Sequence, residues 1–535
     1  MGRSRVHGRF VGRLQSERSR QLALALTVVL TGCNYLTGAD EFVLDGGGDG
    51  GSGSGGVGNA TSGGPSVTSS AGPGGPGATT STGTPAPEGD ATGVSITKVA
   101  FYQAVESVSF ENGPLSTPSV AIVAGRPAVA RVFVDAFGPT GSPITARLYL
   151  GGGAPLEVVV NGAQTSSQGN LGSTINFDVP GELIQPGAKW SVELKESAQS
   201  SQGANPNAST GEVNLGVQTV GPLKVTLIPI QYQADGSNRL PDTSAGQVEG
   251  YRQLFMAMYP TSSVQIAVAS PYGWNQTVSA SGNGWDTLLN SISNLRSSSS
   301  ADFDEFYYGI FEPSGSFNSF CGGGCVSGLG FVGDPNGEYS RAAIGLGYPG
   351  GVAFETAVHE VGHNHGRPHS PCGGVSGADG NYPYAGGSVG VWGMNILSKE
   401  LITPQYKDLM GYCSPIWISD YVYEDMMSFS QAISGQQLIV PPEAMNQTYE
   451  RVAFGPAGTT FLEASTLVRP PMGPTLDVDV VDASGQTQTL EGTVYRYDHL
   501  DGGVVLVKRP TSSPLLRAKL RTVLGGSMTT LEAVR

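Results

Sequence analysis

Four of the six histidines in this 535-residue chain fall between positions 359 and 369, in the run His-Glu-Val-Gly-His-Asn-His-Gly-Arg-Pro-His. No other stretch dictates local geometry so tightly. His359 and His363 are four residues apart, so on an α-helix at ~100° per residue they project from nearly one face, one turn apart. Gly366 is able to take a positive φ and end the helix without a Cβ penalty. A chain that turns there returns His369 to the same point. Three neutral imidazoles at one point suit a tetrahedral Zn²⁺ and leave a position open, which is the arrangement of a catalytic rather than a structural ion. Glu360 is directed to the side, where its carboxylate reaches a water at the metal and not the metal itself. His365 falls outside the ligand spacing and is given no role.

The extended H-E-x-x-H-x-x-G-x-x-H is the signature of the metzincin clan of zinc metallopeptidases, which the chain resembles mainly over residues 350–430. The resemblance implies His359, His363 and His369 as zinc ligands, Glu360 as general base, and a methionine turn downstream of the third histidine. Met394 (Trp-Gly-Met-Asn) and Met410 (Asp-Leu-Met-Gly-Tyr-Cys) are the candidates. Met410 is preferred, because Met410-Gly411-Tyr412 is similar to the Met-x-Tyr of the astacin, serralysin and pappalysin families. That similarity makes Tyr412 a candidate oxyanion donor near the zinc. By analogy with the clan, the strand near Ala342 to Tyr348 is expected to bind substrate backbone by β-augmentation. Many clan members are kept latent by a pro-segment cysteine. No cysteine lies between Cys33 and Cys321, so that device is absent.

The N-terminus has six arginines before the short apolar run Leu22–Leu30, then Leu30-Thr31-Gly32-Cys33. A basic segment followed by an apolar run too short to span a bilayer reads as a secretory signal. Its end resembles the bacterial lipobox, with Cys33 as the lipidated residue. Residues 1–32 are therefore expected to be a lipoprotein signal peptide. Its removal takes away six Arg and one Glu, moving the formal net charge from −15 to −20. So acidic a chain is not a nucleic-acid binder, since phosphate contacts need clustered Lys and Arg. Residues 45–93 hold 18 Gly in 49 positions. With no aromatic residue, that stretch buries too little apolar surface to offset its ordering entropy, so 33–93 reads as a lipidated tether. The lipid anchor is the only expected membrane contact, at the outer membrane or cell surface. Cys321, Cys325, Cys372 and Cys413 form an even set in an exported chain, and 321–325 with 372–413 is the favoured pairing.

Residues 94–220 alternate apolar and polar in short runs such as AVARVFVDAF and ITARLYLG, the pattern of a β-sandwich. Residues 221–430 mix strand and helix periods, and 431–535 return to strands such as LDVDVVDA and GVVLVKR. The expected fold is multidomain: an α/β (α+β) metzincin-like catalytic domain with a mixed twisted sheet and a central zinc helix, flanked by β-sandwich-like domains. The expected function is a zinc endopeptidase acting on extracellular or cell-surface proteins or glycoproteins, as a monomer. A structural Ca²⁺ finds no support in the sequence. The rival is a surface adhesion lipoprotein with a non-catalytic zinc site.

Overall fold

The computed structural model describes residues 87–137, 143–198, 203–434, 440–510 and 513–535. The signal segment, Cys33 and the tether up to residue 86 lie outside them.

Two antiparallel sheets face each other in the first domain. One is built from Val94–Tyr102, Glu106–Glu111, Ala128–Ala136 and Ile175–Val179. The other comprises Glu88–Asp90, Ile144–Leu150, Leu156–Val160, Lys189–Ser197 and Val213–Asn214. Strict alternation drives the packing: Trp190, Val192 and Leu194 turn inward while their neighbours face out. They meet Val99, Phe101 and Val132 from the facing sheet in one apolar core. The sheet starts earlier than expected. Glu88–Asp90 pairs with Lys195–Ser197 inside the stretch read as tether, held by Lys195 Nζ donating to Asp90 at 2.9 Å and by Thr92 donating to Glu196.

The second domain carries a twisted sheet in the order Val264–Val268, Leu223–Tyr232, Glu305–Phe311, Ala342–Leu346 and Gly328–Gly330. The first four strands run parallel, each reached through a crossover, and the last is an antiparallel edge. Helix Trp285–Ser297 packs on one face with Ile230, Phe311 and Ile344. Helices Ala245–Met258, Gly351–Asn364 and Asp420–Ile433 share the other core with Val225, Leu227 and Tyr308. Arg126, wholly buried, pins the two domains together. It extends from the sandwich and donates to the carbonyls of Tyr259 at 2.8 Å and Thr261 at 3.2 Å, and to Gln103 on its own side at 2.9 Å.

Three expectations are corrected here. The strand Ala342–Leu346 is interior, paired on both sides, so it has no free edge for β-augmentation; the edge is Gly328–Gly330. The boundary at residue 430 cuts the helix Asp420–Ile433, whose Phe429 and Ile433 are buried in the same core as Val225 and Leu227. The C-terminal strands form one eight-stranded antiparallel sheet spanning 447–534 instead of two facing sheets, among the described residues. Its Tyr449, Leu467, Tyr495 and Leu506 join the core around helix Trp285–Ser297. The whole is a mixed α/β molecule with several sheets and few helices. Among the described residues no helix is long and apolar enough to cross a membrane.

Candidate metal centre and active site

The helix Gly351–Asn364 runs beneath the edge strand and ends where Gly366 takes φ 77°. Asn364 anchors that end by donating to the carbonyls of Phe331 and Ala342, both at 3.0 Å. The chain then returns His369 toward His359 and His363. The disulfides are Cys321–Cys325 and Cys372–Cys413, the pairing favoured from the sequence. The second ties the His369 loop to the turn Met410–Tyr412.

Each of the three imidazoles is oriented from behind by a backbone carbonyl, which only accepts. Nδ1 of His359 donates to Leu409 at 2.7 Å, Nδ1 of His363 to Arg367 at 2.6 Å, and Nδ1 of His369 to Ser376 at 2.8 Å. The proton therefore sits on Nδ1 in all three, and each Nε2 presents a lone pair. The Nε2 atoms of His359 and His363 are 3.0 Å apart with no proton to share. Burial pushes the basicity of His359 and His363 well below the usual imidazole range and that of His369 to about 3, so all three stay neutral. Converging lone pairs on carbonyl-oriented rings form a donor set for a cation, and imidazole nitrogen suits zinc.

Glu360 lies alongside, 1% exposed, and its Oε2 has no hydrogen-bond partner. Burial pushes its carboxyl up to about 8. The edge strand rests directly on it: a Cβ on Gly328 would fall 2.2 Å from Glu360 Oε1. Met410 is fully buried under the helix, where a Cβ on Gly362 would meet its sulfur at 2.5 Å. Met394 packs elsewhere, with Ala100, Tyr102 and Val129. The Tyr412 hydroxyl lies 3.2 Å from Nε2 of His369.

Residues 331–413 match the family model Peptidase M66. With the histidine cluster inside that stretch, the match supports a metal-dependent peptidase. Among solved structures, the chain is similar to metalloproteinase-II from Bacteroides fragilis at 15% identity, covering 56% of this chain and 78% of that one, with a TM-score of 0.22. None of the curated proteins matches.

Two residues at the centre were missed in the sequence. Asp498 and His499 belong to the turn between the C-terminal strands Thr487–Arg496 and Gly503–Lys508. His499 Nε2 is 3.0 Å from Glu360 Oε1 and 3.1 Å from Asp498 Oδ2, and its Nδ1 is hydrogen-bonded to the Tyr412 hydroxyl. Asp498 Oδ2 lies 3.2 Å from His363 Nε2. The one available signal was scarcity: His499 is the only histidine that follows the cluster. His365, left without a role, is a core residue. It is stacked on Phe306 at 4.6 Å and its Nδ1 donates to Val361.

Proposed function

We propose that this chain is a zinc-dependent endopeptidase of the metzincin type, lipid-anchored at Cys33 and acting on proteins or glycoproteins outside the cell. One observation carries the reading: three carbonyl-oriented imidazoles point their Nε2 lone pairs at one spot, with the unpartnered Oε2 of a buried glutamate beside it. His359, His363 and His369 hold the ion. Zinc, when bound, supplies Lewis acidity toward a water and a substrate carbonyl. Glu360 is not needed to hold the ion. Its Oε2 takes the proton from the attacking water and delivers it to the leaving nitrogen, so the peptide C–N bond breaks with the proton accounted for. A carboxyl pushed upward by burial is suited to passing a proton in both directions. The Tyr412 hydroxyl donates to the oxyanion, and Met410 underpins the histidine platform.

The test is N-terminal profiling of a mixed proteome exposed to the zinc-loaded protein, both as the wild type and with residues 498 and 499 substituted. New termini that vanish on chelation and return with zinc are expected. Retained zinc with no new termini in either form overturns the reading and leaves a binding lipoprotein.

A further inference from the structure

We infer that the turn Asp498–Gly502 is a built-in plug: His499 closes the open metal position as a fourth nitrogen ligand, and Asp498 takes the backbone groups of Gly330 at the end of the edge strand. The inference rests on the metallopeptidase reading above. Three independent observations lead to it.

A ligand atom from His499 lies within 4.8 Å of those of His359, His363 and His369, so four imidazoles and not three enclose the point where the ion belongs. A four-ligand tetrahedral site is closed, whereas hydrolysis needs one position free.

The edge strand is also taken. Val332 N–H donates to Arg496 at 3.1 Å, Phe331 bridges Tyr497 in antiparallel register, and Asp498 N–H donates to Gly330 at 3.2 Å. Gly330 N–H donates in return to Asp498 Oδ1 at 3.0 Å. An extended substrate added to Gly328–Gly330 would need the Gly330 groups that Asp498 takes, while the Arg496 and Tyr497 contacts lie beyond that strand.

Finally, the site is nearly closed to water, with His359 8% exposed and the His499 side chain 10%. His363 and Glu360 are each 1% exposed, and the Asp498 side chain is wholly buried. The body of the C-terminal sheet is fixed by a shared core, and Asn290 donates to the Tyr497 hydroxyl at 2.6 Å. The turn 498–502 is therefore the part that withdraws, while Arg496 and Tyr497 stay in place. Gly502, at φ 135°, sits at its end.

The experiment uses the full chain loaded with Co²⁺, whose visible spectrum reports ligand number. Wild type is compared with Asp498→Asn/His499→Gln and with Asp498→Ala/His499→Ala, with acetohydroxamate as the probe for an open position. A wild-type spectrum unmoved by hydroxamate is expected, along with a variant spectrum that shifts and a peptidase rate that rises by about tenfold or more as the competent fraction grows. The glutamine pair conserves polarity and serves if the alanine pair does not fold. A wild type that takes hydroxamate as readily as the variants, or variants that lose activity, overturns the plug. Spectra that behave as expected in a protein without peptidase activity in any form would fault the enzyme reading and leave the fourth ligand standing.

Discussion

His499 Nε2 sits 3.0 Å from Glu360 Oε1, although 139 residues separate them. That contact makes the C-terminal sheet part of the candidate active site, and it sets His499 between the glutamate and Tyr412. The peptidase-matched stretch 331–413 holds His359, Glu360, His363 and His369, whereas Asp498 and His499 lie outside it.

Removing the metal leaves three buried lone pairs facing one another. Zinc binds the folded form, so stability should rise by about 1.4 kcal/mol for each tenfold of free zinc above its dissociation constant. Thermal melts across a zinc-buffered series check this. A melting temperature indifferent to zinc contradicts a site formed by His359, His363 and His369.

Tyr412→Phe removes a hydroxyl that also holds His499 Nδ1, so it is compared with its parent in the Asp498→Asn/His499→Gln background. Loss of one oxyanion donor is expected to lower kcat by about 10²–10³-fold with KM nearly unchanged. Steady-state kinetics on a quenched peptide decide it; an equal fall in kcat at unchanged zinc content is the signature, and an unchanged kcat assigns Tyr412 to packing.

Gly328→Ala puts a methyl group 2.2 Å from Glu360 Oε1 and 2.6 Å from its Cδ. The carboxylate must move, and a displacement near 1 Å costs about a hundredfold in rate. Gly323→Ala, whose Cβ meets nothing within 4 Å, is the control. Activity lost in the first and kept in the second, at equal zinc content, is the expected outcome.

Arg126→Met is expected to destabilise the protein by at least about 3 kcal/mol, because the carbonyls of Tyr259, Thr261 and Gln103 lose their buried donor. Arg126→Lys should recover only part of this, since an ammonium cannot reproduce the planar fork. Urea unfolding measures both, and an Arg126→Met protein as stable as wild type contradicts the pinning role.

Much of the metal centre could be read ahead of the structure because its geometry is local. One helical turn and one glycine bring His359, His363 and His369 together, and only the orientation of the His359 ring draws on a distant contact, at Leu409. Met410 and Tyr412 follow within 45 residues, tethered through Cys372–Cys413. The rest depends on contacts that residue order does not encode. The alternation within Lys189–Ser197 marks a strand but not its partner, so nothing revealed that Glu88–Asp90 would pair with it. Ala342–Leu346 reads as a strand equally well at an edge or inside a sheet, and only the antiparallel addition of Gly328–Gly330 decides which. Asp498 and His499 occupy an ordinary turn between strands. Their meaning comes from how the last sheet docks on the helix Trp285–Ser297, a packing event between remote segments.

The most direct test of the catalytic assignment is the rate of Glu360→Gln, measured with zinc content in the same samples and in both the wild-type and the Asp498→Asn/His499→Gln backgrounds. One zinc per chain, with hydrolysis reduced by about 10³-fold or more where the parent is active, is the expected result. Hydrolysis undiminished by Glu360→Gln, with zinc retained, would contradict it.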